Sequence, residues 1–131
     1  MPVTFTLDHE LDLIHTRVTG KLTTGDTLTY FKDIASDPGV PNATIEIVDF
    51  SEVTDFSLDY AQIHQITKEY QPAKATRGII ATVFCCPSDL AYGIGRMLET
   101  LHSLANPNHA VRLVRSQSDV EQVVSEVRSH K

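Results

Sequence analysis

Val3, Phe5 and Leu7 alternate with polar residues, a period of two that sets an apolar face on a strand ending at Asp8. Past the polar turn Asp8-His9-Glu10, residues 11–20 read as a second strand, so the chain opens on a hairpin. After Gly20 the period changes. Thr23 or Thr24 can cap a helix carrying Leu28, Phe31, Ile34 and Ala35 on one stripe, and Asp37-Pro38-Gly39 stops it. Residues 43–50 form a buried-looking strand. Residues 57–71 then read as a helix with Tyr60, Ile63, Ile66 or Thr67, and Tyr70 inward. Residues 77–85 are the most apolar strand, as a central parallel strand should be. Residues 88–105 form the clearest helix, its stripe being Leu90, Ile94, Met97, Leu98, Leu101 and Leu104. A strand over 109–115 and a helix over 118–129 close the chain, the helix turning Val120, Val123, Val124 and Val127 inward. Ser118 and Glu121 have the spacing of a capping box.

The order β-β-α-β-α-β-α-β-α predicts an α/β fold: a mixed, mostly parallel five-stranded sheet with four helices, one strand being antiparallel. At 131 residues the chain is read as one domain, 1–131, long enough for a sizeable core. No repeat, linker or low-complexity segment divides it.

Eleven basic residues against seventeen acidic give a net charge of −6, with no Lys/Arg stripe. Nucleic acid is therefore not an expected partner. The longest uncharged run, 78–88, is about half a bilayer span, so no membrane span is expected. Cys85 and Cys86 are the only cysteines, and neighbours in sequence pair only with strain. Reduced thiols in a cytoplasmic protein are the expectation.

The same element order, with the corner Val48-Asp49-Phe50-Ser51-Glu52-Val53, resembles the SpoIIAA-like, or STAS, domains. Those are anti-sigma-factor antagonists and cytoplasmic domains of some anion transporters. The likeness in order covers nearly the whole chain, and the residue match lies at this corner. There the family has a buried strand ending in Asp-Leu-Ser, followed after a few residues by Asp-Ser-Ser-Gly opening a helix. Asp49-Phe50-Ser51 fits the first part, while Leu58 and Asp59 fall where the phosphorylatable serine would lie. The stretch Pro87-Ser-Asp-Leu-Ala-Tyr-Gly-Ile-Gly-Arg-Met also looks like stand-alone bacterial members of the group. The resemblance implies a regulatory, protein-interaction module without the usual phosphoserine switch, its Asp59 carrying only part of a phosphate's charge.

The corner residues to weigh are Asp49, Ser51, Ser57 and Asp59. Ser57 directly before a helical pattern reads first as an N-cap, with Asp59 favourable to the helix dipole in the first turn. A modifiable switch is the competing reading. In Phe84-Cys85-Cys86-Pro87-Ser88-Asp89, a thiol at a strand's carboxyl end before a helix N-terminus invites nucleophile chemistry. A nucleophile needs an oriented base, however, and none of the six histidines has an obvious place for it. Both cysteines read more simply as small packing residues. Gly93 and Gly95 within a helix point to close packing or to backbone approach by a ligand. Tyr92, Arg96, Glu99 and Ser103 share a face opposite the apolar stripe, and Tyr beside Arg is the composition of an interface anchor. No metal-ligand spacing, Walker loop or nucleophile elbow occurs, so neither metal nor cofactor is expected.

Three functions follow. The first is a non-enzymatic interaction module working through Asp49–Asp59, the turn Cys86, Ser88, Asp89, and Tyr92 with Arg96; a protein partner or a homodimer would fit it. The alternative is a binder of a small apolar or amphipathic ligand, in a cleft lined by the helix glycines and the strand over 79–84. A Cys85- or Cys86-dependent enzyme ranks third.

Overall fold

In the computed structural model, the structure describes residues 3–37, 39–40, 44–59, 61–62, 64–65, 68, 79–105 and 109–129. The opening alternation becomes β1 (Val3–Asp8), antiparallel to β2 (Leu13–Thr23). Asp12 turns the chain between them with φ of 54°, a left-handed position that Asp tolerates better than most residues. β2 runs three residues beyond Gly20. A bulge there uses Gly20's φ of +69° and shifts the register against β3, so the strand bends instead of stopping.

Helix α1 (Thr24–Ser36) follows. Thr23 is its cap: its hydroxyl accepts the Asp26 N–H at 3.1 Å while the Asp26 carboxylate accepts the Thr23 N–H at 3.2 Å. Strand β3 (Thr44–Ser57) is 14 residues long, seven past its expected end at Phe50. Residues 61, 62, 64, 65 and 68 are helical. The inward face expected from Tyr60, Ile63, Ile66, Thr67 and Tyr70 lies outside the described residues. β4 (Ile79–Cys85), α2 (Asp89–Ala105), β5 (Ala110–Val114) and α3 (Gln117–Ser129) complete the order.

The strands lie in sequence order, β1-β2-β3-β4-β5, and every pair after the hairpin is parallel. Strand period two then sorts the core. Ile14, Val18, Val48, Phe50 and Phe84 face one way, beneath α1 and α2. Ile45, Ile47, Ala81, Val83 and Cys85 face the other, against Val120 and Val124 of α3. Among the described residues no helix is long and apolar enough to cross a membrane.

Two helix details differ from the periodic reading. Leu90 is half exposed, and Ala91 is buried in its stead one residue on. Helix α3 starts a residue early, at Gln117, after a turn in which the Ser116 carbonyl accepts the Asp119 N–H at 3.2 Å and the Ser116 hydroxyl donates to the Asp119 carboxylate at 3.0 Å.

Candidate functional site

Asp49 pairs in register with Cys85, the last residue of β4, so the Cys86 turn opens at the carboxyl end of β4 beside the point where β3 runs on past it. Asp49 accepts the Ser51 N–H at 2.8 Å, which fixes the carboxylate against its own strand and leaves the Ser51 side chain exposed. Arg17, paired across β2 with Asp49, makes an exposed ion pair with Glu52. Cys86 is drawn inward by its N–H, which donates to the Val114 carbonyl at 2.8 Å. Ser88 caps α2, its hydroxyl accepting the Ala91 N–H at 3.1 Å.

The charged chemistry of this rim comes from a residue the sequence did not single out. Arg115, just past β5, donates to Asp89 at 3.0 Å and lies over the Tyr92 ring with its guanidinium carbon 4.1 Å from the centroid. A guanidinium over an aromatic face is attracted by the ring quadrupole. Arg115 and Asp89 are both well exposed, so the ion pair adds little stability. It orients Tyr92 and Arg115 at the surface. The position was readable only as an Arg one residue past a strand's carboxyl end. Arg96 pairs instead with Glu99 at 3.2 Å along the same helix.

Ser57 and Asp59 do not join this rim. Strand β3 carries Ser57 six residues beyond Ser51, roughly 20 Å at ordinary strand rise. Ser57 is an exposed strand end paired with Thr23, not a helix cap. Asp59 is the cap. Its carboxylate accepts the Gln62 N–H at 3.0 Å, and its own N–H donates to the Thr24 hydroxyl at 2.9 Å. Val53, Phe56 and Leu58 pack against the core under α1 and α2 and hold the chain extended past Phe50, the extra residue between Val53 and Phe56 falling at the register shift against β2. The four corner residues are therefore two separate pairs, at the rim and at the α1 N-terminus.

Both cysteines are buried and unbridged. Burial pushes the Cys85 thiol up to about 11 and the Cys86 thiol up to about 12. A lowered thiol pKa, the premise of nucleophile chemistry here, is absent. Gly95 explains itself by packing, since a Cβ there would sit 2.8 Å from the Cys86 sulfur and 3.1 Å from Leu113. Gly93 faces open space.

The larger omission from the sequence reading is a buried polar row across the sheet. Glu46 is fully buried on the α1/α2 face. It accepts from the Tyr30 hydroxyl and, at 2.7 Å, from the Thr82 hydroxyl. The row extends to Thr16, 2.6 Å from Tyr30, and to His109 Nε2, 2.9 Å from Thr82. Burial and the nearby Glu46 charge hold the Tyr30 phenol well above its usual pKa. One signal was available: a lone Glu between Ile45 and Ile47, in a strand covered on both faces, must be hydrogen-bonded inside. Among the described residues, no three or more His, Cys, Asp or Glu side chains gather to hold a metal.

Comparison with solved structures places the fold. The chain matches the anti-sigma factor antagonist SpoIIAA in its unphosphorylated form with a TM-score of 0.56 and 13% identity, over 96% of this chain and 97% of that one. It also matches an uncharacterised DUF3478-family protein with a SpoIIAA-like fold from Shewanella loihica PV-4, TM-score 0.52 and 12% identity, over 92% of this chain and 90% of that one. No family model and no curated protein matches the sequence. The fold is SpoIIAA-like: an α/β domain on a mixed, mostly parallel five-stranded sheet.

Proposed function

We propose that this chain is a non-enzymatic, protein-interaction or regulatory module of the SpoIIAA/STAS type, acting without a phosphoserine switch. The observation that carries the reading is the Tyr92–Arg115–Asp89 stack at the rim beside Asp49 and Ser51. Tyr and Arg are the residues that most often dominate binding energy, and here a half-buried Tyr92 holds the exposed Arg115 in a pre-set orientation. The matched antagonist SpoIIAA acts on an anti-sigma factor by its description, which supports a protein as the partner class here. The start of the helical segment supports the missing switch, since Leu58 and the capping Asp59 stand where the family carries its serine. Two free, buried thiols fit a reducing compartment, and the cytoplasm is the proposed location.

The test is affinity capture followed by direct titration of the purified partner. Tyr92→Ala and Arg115→Ala are each expected to weaken Kd about tenfold or more with circular dichroism unchanged; Tyr92→Ala also lowers Tm through lost packing on the core, whereas Arg115→Ala leaves Tm unchanged. Wild-type affinity in both variants would remove the rim from the interface.

A further inference from the structure

The strands lie in sequence order, so β1 and β5 are the two edges of the sheet. They are finished differently. At β5 the Val114 carbonyl accepts the Cys86 N–H, which turns Val114 and, by ladder alternation, Arg112 toward β4. Val111 and Leu113 therefore face their main-chain groups outward, and the Arg112 guanidinium donates back to the Val111 carbonyl at 3.2 Å. A charged side chain folded over its own edge blunts it against further pairing. β1 has no such guard. Residues 3–7 are Val-Thr-Phe-Thr-Leu, without a charge or a proline. Among the described residues, no hydrogen bond reaches the main chain of residues 3–8 except from within the pairing with β2. Alternate N–H and C=O groups of β1 thus stand open along its outer side.

Beside that edge, β1 and α1 frame a groove. Val3, Phe5 and Tyr30 form its floor, with Phe5 edge-on to Tyr30 at 6.0 Å between centroids, and Asp26, Thr29 and Asp33 line its α1 wall. Asp26 and Asp33 stand two turns apart on one helix face, about 10.5 Å along the axis. Asp33 is exposed and has no hydrogen-bond or ion-pair partner among the described residues. Asp26 engages one carboxylate oxygen with Thr23, and its other oxygen has no such partner.

We propose that β1 is a docking edge for an extended, basic segment of another protein, which adds as a strand and lays alternate Lys or Arg side chains along Val3 and Phe5 toward Asp26 and Asp33. Main-chain bonds give strand addition its affinity, and alternate side chains give it selectivity. Long basic side chains suit an apolar floor with an acidic wall, because the stem packs while the charged head stays paired. The opposite face of the added strand meets Thr4 and Thr6, both exposed. A second copy of this chain fits less well. Two-fold pairing at β1 sets the acidic walls of two grooves against each other, in a chain already at −6. The edge lies across the sheet from β5 and Arg115, so this site is separate from the rim.

The experiment is an amide-detected NMR titration of the full chain with the capped peptide Thr-Lys-Thr-Val-Thr-Lys-Thr, beside the same peptide with Glu for both Lys. The expected result is saturable shifts at β1 and at residues 26–33, with Kd on the order of 0.1–1 mM. The Glu peptide should bind at least about tenfold more weakly. N-methylation of one alternate set of peptide amides should abolish binding while the other set is tolerated, the mark of strand addition. Asp33→Lys should weaken the Lys peptide about fivefold, with circular dichroism unchanged. Shifts that never saturate or that bypass β1, equal binding of the Lys and Glu peptides, or an equal response to the two methylated sets would each overturn the assignment. So would a chain that dimerises through β1 without peptide. The wild-type comparisons decide the matter whatever the variant does.

Discussion

Glu46 shows how a single side chain sets the chemistry of a core. In a strand buried on both faces, an ionised carboxylate survives only if its lone pairs are filled, and Tyr30 and Thr82 each supply a hydroxyl. Tyr30→Phe keeps the ring and removes one of those donors. Guanidinium unfolding should show a loss of about 1.5–3 kcal/mol, the range for a buried hydrogen bond to a charged group. Arg96→Ala, at an exposed ion pair, should stay within about 0.5 kcal/mol. A loss in Tyr30→Phe no larger than in Arg96→Ala would mean the carboxylate does not depend on that phenol. The row was only half legible. Glu46 was conspicuous among isoleucines, but its partners lie 16 and 36 residues away, and no local period links them.

At the level of elements, α2 separates two glycines that look alike in sequence. Gly95 is the point where the helix closes onto Cys86 and Leu113, and a methyl group there overpacks the contact. Gly95→Ala should destabilise by about 1–3 kcal/mol. Gly93 has open space around it, so Gly93→Ala should stabilise by up to about 1 kcal/mol through helix propensity. Thermal unfolding of the two single variants distinguishes them by sign, and a stabilising Gly95→Ala would contradict the close approach. The elements themselves were legible because apolar spacing fixes which face is buried; β1, β4, α2 and β5 fall within two residues of where the pattern puts them. Ends were harder. Residues 51–57 contain Ser, Glu, Thr and Asp at outward positions and read as a corner, but pairing with β2 keeps them in the sheet. Tertiary pairing overrode local composition, and with it went the Ser57 cap.

Over the whole molecule, the two buried thiols tie stability to alkaline pH. Their pKa values are raised from an ordinary value of 9.0 to about 11 and about 12, because the interior accepts a neutral thiol and disfavours a thiolate. A raised folded-state pKa means that the stability is complete below about pH 9 and is lost as the pH climbs through about 11 and 12. The unfolding midpoint should fall over that window. It should fall less steeply in Cys85→Ala and Cys86→Ala, compared by slope because each variant also loses packing. Slopes identical to wild type would show that the thiols do not titrate with unfolding. The architecture was the most legible level, since alternating strands and helices admit few arrangements. The placement of the rim was legible too, Asp49 lying opposite Cys85. The Arg115 contacts with Asp89 and Tyr92 were not, because they arise where segments distant in sequence meet.

One contact has a temporal meaning. The guanidinium of Arg128, in the last turn of α3, donates to the carbonyls of Leu11 and Asp12 at the opening hairpin, 117 and 116 residues earlier. More than a hundred residues must follow the hairpin off the ribosome before this latch can engage. Until Arg128 arrives, the turn between β1 and β2 waits for that tether.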